Sequence, residues 1–183
     1  MMKVKFLYLK ILLLSINLVF SQSPPKNIEP FKAGEALEYR VHYGIFNASY
    51  ASLKLSSEEL NGEKLLLASG YGKTIGLARL FFKVEDYYSS YFDNENVSPV
   101  FFKRNIYEGG YTKNLEVQFD SESNSAIVNN IKNGTIKTIS TEKNIQDLIS
   151  SLYYLRKNFS PNSIEIGDYF TINMFYDSKN KEL

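Results

Sequence analysis

Apolar and polar residues alternate with a period of two through most of this 183-residue chain, and Asn-Gly or Gly-Gly pairs punctuate the alternation. In ALEYRVHYG (36–44), Leu37, Tyr39, Val41 and Tyr43 fall on one side and Glu38, Arg40 and His42 on the other. Such a pattern fits an extended strand with one covered face. Residues 48–59 carry it on through Ala51, Leu53 and Leu55, and 64–71 returns after Asn61-Gly62, a dipeptide that tolerates the positive φ angles of a tight hairpin. Strands are likewise predicted over 84–93, 100–110 and 111–120, with Gly109-Gly110 turning between the last two, over 126–129 and 135–140 around Asn133-Gly134, and over 168–177. TIGLARLFF (74–82) loses the period and predicts a short helix or covered turn. Aromatic residues make up 15% of the chain, as 14 Tyr and 13 Phe, a bias that favours sheet over helix.

One helix is predicted against this background, over 145–157. Asn144 is its expected N-cap, and Asp147 suits the first turn by its charge. Ile145, Leu148, Ile149, Leu152 and Leu155 form its apolar stripe, with Arg156 inside the stripe and Asp147 and Tyr154 pointing away. Adjacent ring pairs such as Tyr87-Tyr88, Tyr91-Phe92 and Phe101-Phe102 put an aromatic on each side of a strand. The expected fold is therefore mainly β (β-rich α+β): an antiparallel curved sheet or half-barrel packed around one amphipathic helix. Its concave side has either room for an apolar or glycan ligand or an ordinary filled core.

The first 21 residues read as a secretory signal peptide: three lysines, an apolar run, then Val19 and Ser21 as small residues before a cut at Ser21/Gln22. Lys10 interrupts the run, and Ile11 to Phe20 is about half the length that spans a bilayer. The mature protein is thus expected to be periplasmic or secreted, meeting the membrane only through the transient leader. Residues 22–35 form an extended lead-in, and 36–183 a single β-rich domain within the remaining 162 or so residues. With no cysteine there is neither a disulfide nor an acylated lipoprotein terminus. Loss of Lys3, Lys5 and Lys10 takes the formal charge from +1 to about −2, without the clustered basic surface of a nucleic-acid binder.

Catalytic chemistry is excluded class by class. One His and no Cys leave no ligand set for zinc, haem or an iron–sulfur cluster. His42 alternates with the apolar side of its strand, and no Gly-x-Ser-x-Gly elbow accompanies it. Gly70-Tyr71-Gly72-Lys73-Thr74-Ile75-Gly76 resembles a nucleotide loop only in part: Leu67 stands where a phosphate loop needs glycine, and Ile75 where a dinucleotide fingerprint does. No nucleotide, metal or other cofactor is expected. Asp86, Asp93, Glu108 and Asp147 are the carboxylates that could act as acid and base in glycoside cleavage. Arg104 and Glu108, at i and i+4, share a strand face with Val100, Phe102 and Ile106, and are expected to pair with each other across the strand surface or with Arg156.

Several segments in order resemble the exported bacterial proteins grouped as domain of unknown function 3108. They are Phe31-Lys32-Ala33-Gly34-Glu35 before Leu37-x-Tyr39; Val84-Glu85-Asp86-x-Tyr88-x-Ser90; Arg104-x-Ile106-x-Glu108-Gly109-x-Tyr111; Gln146-Asp147-x-Ile149-Ser150-x-x-Tyr153-Tyr154-x-Arg156; and Gly167-Asp168. The resemblance implies a β-rich periplasmic protein of a Gram-negative cell, with no established activity and with further strands beyond Leu183. Arg104, Glu108, Asp147 and Arg156 fall in the matching segments and form the expected ligand-binding or buried polar cluster. Three functions stay open. The first is a non-enzymatic binder of a lipid, glycan or envelope protein, expected to have a tyrosine-lined apolar pocket. The second is a structural or assembly factor of the envelope, expected to show an exposed aromatic patch instead. The third is an envelope-glycan hydrolase with two carboxylates about 5–10 Å apart.

Overall fold

A computed structural model describes residues 29–159 and 164–183. The expected leader and its cleavage point lie outside the described residues. Eight strands follow one another: β1 (Ala36–Tyr43), β2 (Phe46–Leu60), β3 (Glu63–Thr74), β4 (Val84–Phe92), β5 (Pro99–Glu108), β6 (Tyr111–Asp120), β7 (Ser125–Asn130) and β8 (Thr135–Ser140). Each pairs antiparallel with the next in a single meander that is not closed into a barrel. The turns form where the sequence places its turn residues: Asn61 and Gly62 have φ of 53° and 85°, Gly109 and Gly110 58° and 98°, conformations that glycine and asparagine tolerate best. Residues 74–82 supply the short helix α1 (Gly76–Phe81).

In antiparallel pairs directly opposed residues share a face. The register therefore lines up Leu55, Ala68, Ser90, Phe102, Val117 and Val128 in one row across six strands, and every one of them is buried. Two apolar clusters fill this inner face. One joins Leu53, Leu55, Leu66 and Phe92 to Phe31 and Tyr153; the other joins Phe102, Val117, Phe119 and Val128 to Ile145 and Phe175. The lead-in, the segment 145–149, the helix α2 (Ser150–Asn158) and the strand β9 (Asn173–Tyr176) supply the cover. Small residues at the centre of the sheet admit that cover: a methyl group on Gly70 would come within 3.3 Å of the Ile149 side chain.

The helix departs from its predicted span and phase. Gln146 pairs in parallel with Met174, its N–H donating to Asn173 O at 2.8 Å, so 145–147 is extended rather than helical. Asn144 lies at φ 53° and is not the cap. Instead Asp147 accepts the N–H groups of Ile149 and Ser150 at 2.8 and 2.9 Å, while the Ser150 hydroxyl accepts the Asp147 N–H at 2.9 Å. This reciprocal arrangement satisfies amides that the first turn leaves free. Because the helix starts five residues late, the apolar stripe counted from Ile145 does not apply. Tyr153 and Asp147 are fully buried and Leu152 is exposed.

The last predicted strand, 168–177, is shorter, and it is half of a hairpin. β9 turns at Asp177-Ser178, both at positive φ, into β10 (Lys179–Glu182). Rings occupy both sides of the main sheet, as the adjacent pairs require: Tyr88 and Phe102 within (6.3 Å between centroids), Tyr71 and Tyr87 (4.8 Å) outside.

Candidate functional site

The four expected cluster residues go to three different places. Arg156, on α2, forks onto the Glu35 carboxylate of the lead-in at 2.6 and 2.7 Å and also donates to Pro30 O at 2.6 Å. This bond, with the nearby guanidinium charge, outweighs burial and holds the Glu35 carboxyl below its ordinary value. Asp147 is enclosed beneath the helix, where it accepts the Ser90 hydroxyl at 2.6 Å. Burial pushes its carboxyl up to about 6 despite those hydrogen bonds.

Arg104 and Glu108 do share one face of β5, but Ile106 separates them and they do not pair. Arg104 is buried and donates to Asp177 at 2.7 Å, with its guanidinium 4.9 Å from the Tyr176 ring. Lys113 reaches the same Asp177 oxygen at 2.6 Å. Burial tends to raise the Asp177 carboxyl, yet these two cations win and lower it. Sequence reasoning missed Glu35, Ser90 and Asp177 as partners because each is far along the chain from the residue it serves.

Among the carboxylates, Asp86 and Glu108 are neighbours. Burial is the main cause of a raised Asp86 carboxyl; the Tyr107 N–H, donating at 3.2 Å, opposes it and the adjacent Glu108 reinforces it. Asp147 lies elsewhere. It binds Ser90, four residues along β4 from Asp86, a displacement of about 13 Å at strand rise. Asp93 spends its carboxylate on the N–H groups of Glu95, Asn96 and Ser98 in the β4–β5 turn. No group of three His, Cys, Asp or Glu side chains among the described residues could hold a metal ion.

Clefts of about 220, 370 and 350 Å³ open on the described surface, and only one of them, through Tyr154, touches a tyrosine. The tyrosine-lined apolar pocket expected of a ligand-enclosing sheet is not among them. Exposed apolar side chains occur in the segment before β9, at Ile166 and Tyr169, and in a group at one end of the meander, where the β1–β2, β3–β4 and β5–β6 connections meet. Hydrogen bonds brace this end: within the β3–β4 connection Thr74 donates its hydroxyl to Phe82 O at 3.0 Å and accepts the Val84 N–H at 2.9 Å, while Gly109 N–H donates to Lys83 O at 2.8 Å and Ile75 N–H to Ala48 O of β2 at 3.0 Å. The Phe82 ring lies over Gly109, so close that a methyl group there would stand 2.2 Å from it. On this frame Ile45 is 90% exposed, Leu80 80% and Phe81 88%, with Phe46 and Leu77 about half exposed. None of the α1 residues is buried. The signal for this surface was present in the apolar run LARLFF, which loses the strand period and spaces Leu77, Leu80 and Phe81 as one side of a helical turn.

A family model described as a protein of unknown function, DUF3108, matches residues 38–183. The chain belongs to the DUF3108 family. No curated protein and no solved structure matches it. The DUF3108 match spans β1 through β10, and thus the apolar end, Arg104, Glu108, Asp147 and Arg156. It begins after Phe31 and Glu35, so the lead-in that covers the first core cluster stands outside the matched span.

Proposed function

We propose that this protein is an exported, non-enzymatic binding protein of the cell envelope, and that it engages an apolar partner through the end of the sheet rather than in an enclosed pocket. The observation that carries this reading is the grouping of Ile45, Phe46, Leu77, Leu80 and Phe81 on two adjacent connections, β1–β2 and β3–β4, braced by hydrogen bonds to β2 and to the β5–β6 turn. Exposed side chains of this size scattered singly are ordinary; gathered on one rigid frame they mark an interaction site. A non-enzymatic role is supported by two of the four candidate carboxylates being spent on structure: Asp147 is enclosed and fully hydrogen-bonded, and Asp93 builds a turn, which leaves Asp86 and Glu108 as the neighbouring pair. Export rests on the leader-like first 21 residues. Two measurements test the reading. Cell fractionation is expected to find the protein outside the cytoplasm without its leader. An environment-sensitive apolar dye is expected to brighten with the protein and to lose most of that signal in the Leu80→Asp, Phe81→Asp double variant. Equal brightening in the variant overturns the assignment of the site.

A further inference from the structure

Resting on that reading, we infer that the partner of the apolar end is the surface of an anionic lipid bilayer. Its shape is the first reason. Ile45, Leu80 and Phe81 protrude from connections and line none of the three clefts described above, the arrangement that enters the boundary between headgroups and acyl chains. Charge is the second. Around these connections the cations Lys73, Arg79 and Lys83 stand with two acids, Glu108 at the end of β5 and Glu85, which both Arg79 and Lys83 approach, at 3.2 and 3.6 Å. Lys73 holds its ammonium group over the Tyr50 and Tyr71 rings and Lys83 over the Tyr107 ring, at 4.9 to 5.8 Å from the centroids, so both cations stand on aromatic surface at this end.

The opposite end of the same sheet carries the reverse sign. The strand ends and connections there hold Glu58, Glu59, Glu63, Glu95, Glu122 and Glu142 against Lys32, Lys64, Lys143 and Lys157. The chain, of formal charge about −2 once its expected leader is lost, is thus polarised along its strands, with the less negative pole at the apolar end. The negative potential of an anionic leaflet attracts that pole and repels the other, so charge orients the protein and the apolar side chains anchor it. A protein partner would need a complementary face for side chains that jut outward, and an uncharged partner would gain nothing from the polarity.

Hydrogen exchange of the intact chain, with and without phosphatidylglycerol vesicles, tests this by location, which separates the surface from any binding by the leader. Slower exchange is expected at 44–46 and 76–83, with no change in the 93–98 turn at the far end, and the effect is expected to weaken in high salt. Vesicles of phosphatidylcholine are expected to protect far less. Leu80→Asp or Phe81→Asp is expected to reduce vesicle-dependent protection at 76–83 at least tenfold or so, the effect of burying one such side chain; both positions are exposed, so the fold tolerates the change. Equal protection by both lipids, or protection at both ends of the sheet, overturns the inference. Dye binding lost in the double variant but no vesicle protection overturns the lipid assignment alone. The same holds if sedimentation shows a dimer that the variant abolishes, since the occupant is then a second copy. Absence of both dye binding and protection overturns the underlying reading as well.

Discussion

Asp147 shows how one side chain can organise a junction and still oppose folding at neutral pH. Its carboxylate starts α2 and binds Ser90 of β4, yet burial raises it to about 6 from an ordinary 3.8. The folded state therefore holds a proton between those values that the unfolded chain has released. Stability from this group is greatest below about pH 4, declines as pH rises through the window to 6, and is level above it, a total of about 3 kcal/mol. Asp147→Asn keeps an acceptor for the two amides and removes the charge. In urea denaturation across this range, the difference in stability between wild type and variant is expected to change with that slope; a constant difference would show that Asp147 does not titrate there. Arg156 is a contrasting case, because its partner Glu35 has a lowered carboxyl: that stability is present above the usual carboxylate range and lost as pH falls.

Elements here are fixed by turns that the chain carries locally and adjusted by what lies over them. Gly109 adopts φ 58° beneath the Phe82 ring. Gly109→Ala is expected to destabilise by about 1–2 kcal/mol from the left-handed backbone alone, and to displace the ring in addition. Added to a Phe82→Ala background, the same change is expected to cost only the backbone part, a non-additivity that a thermodynamic cycle of the four proteins measures. Full additivity would mean that ring and turn do not meet. The strands and turns were legible because period and turn chemistry act within a few residues. The start of α2 was not, since it depends on Gln146 pairing with Met174, a strand that forms far along the chain.

At the scale of the molecule, an eight-stranded meander with two core clusters is completed from outside by pieces of chain that belong to no strand of the sheet. Phe31 illustrates this. It stands before β1, yet its ring meets Tyr153 at 5.0 Å and Phe92 at 6.4 Å, and it is 5% exposed. Phe31→Ala is expected to lower stability by about 3–5 kcal/mol in urea denaturation. Exchange protection is expected to fall first in α2 and β2–β4, with β5–β7 affected less. A loss below 1 kcal/mol would make the lead-in an ornament of the fold. The sheet end follows the same logic in reverse: no segment among the described residues covers Leu80 and Phe81.

Alternation, turn dipeptides and aromatic content determined by themselves an antiparallel sheet with rings on both faces, because strand geometry sends successive side chains to opposite sides. The same local signals exposed the mismatch of LARLFF without saying where it would stand. Only the tertiary structure decided which polar groups meet: Arg104 with Asp177, Arg156 with Glu35, and Asp147 with the Ser90 hydroxyl. It also gathered the apolar and basic connections at one end and the acidic ones at the other. Those partners are separated by tens of residues in sequence, and contacts of that range are set by how the meander and its cover fold together, not by any period along the chain.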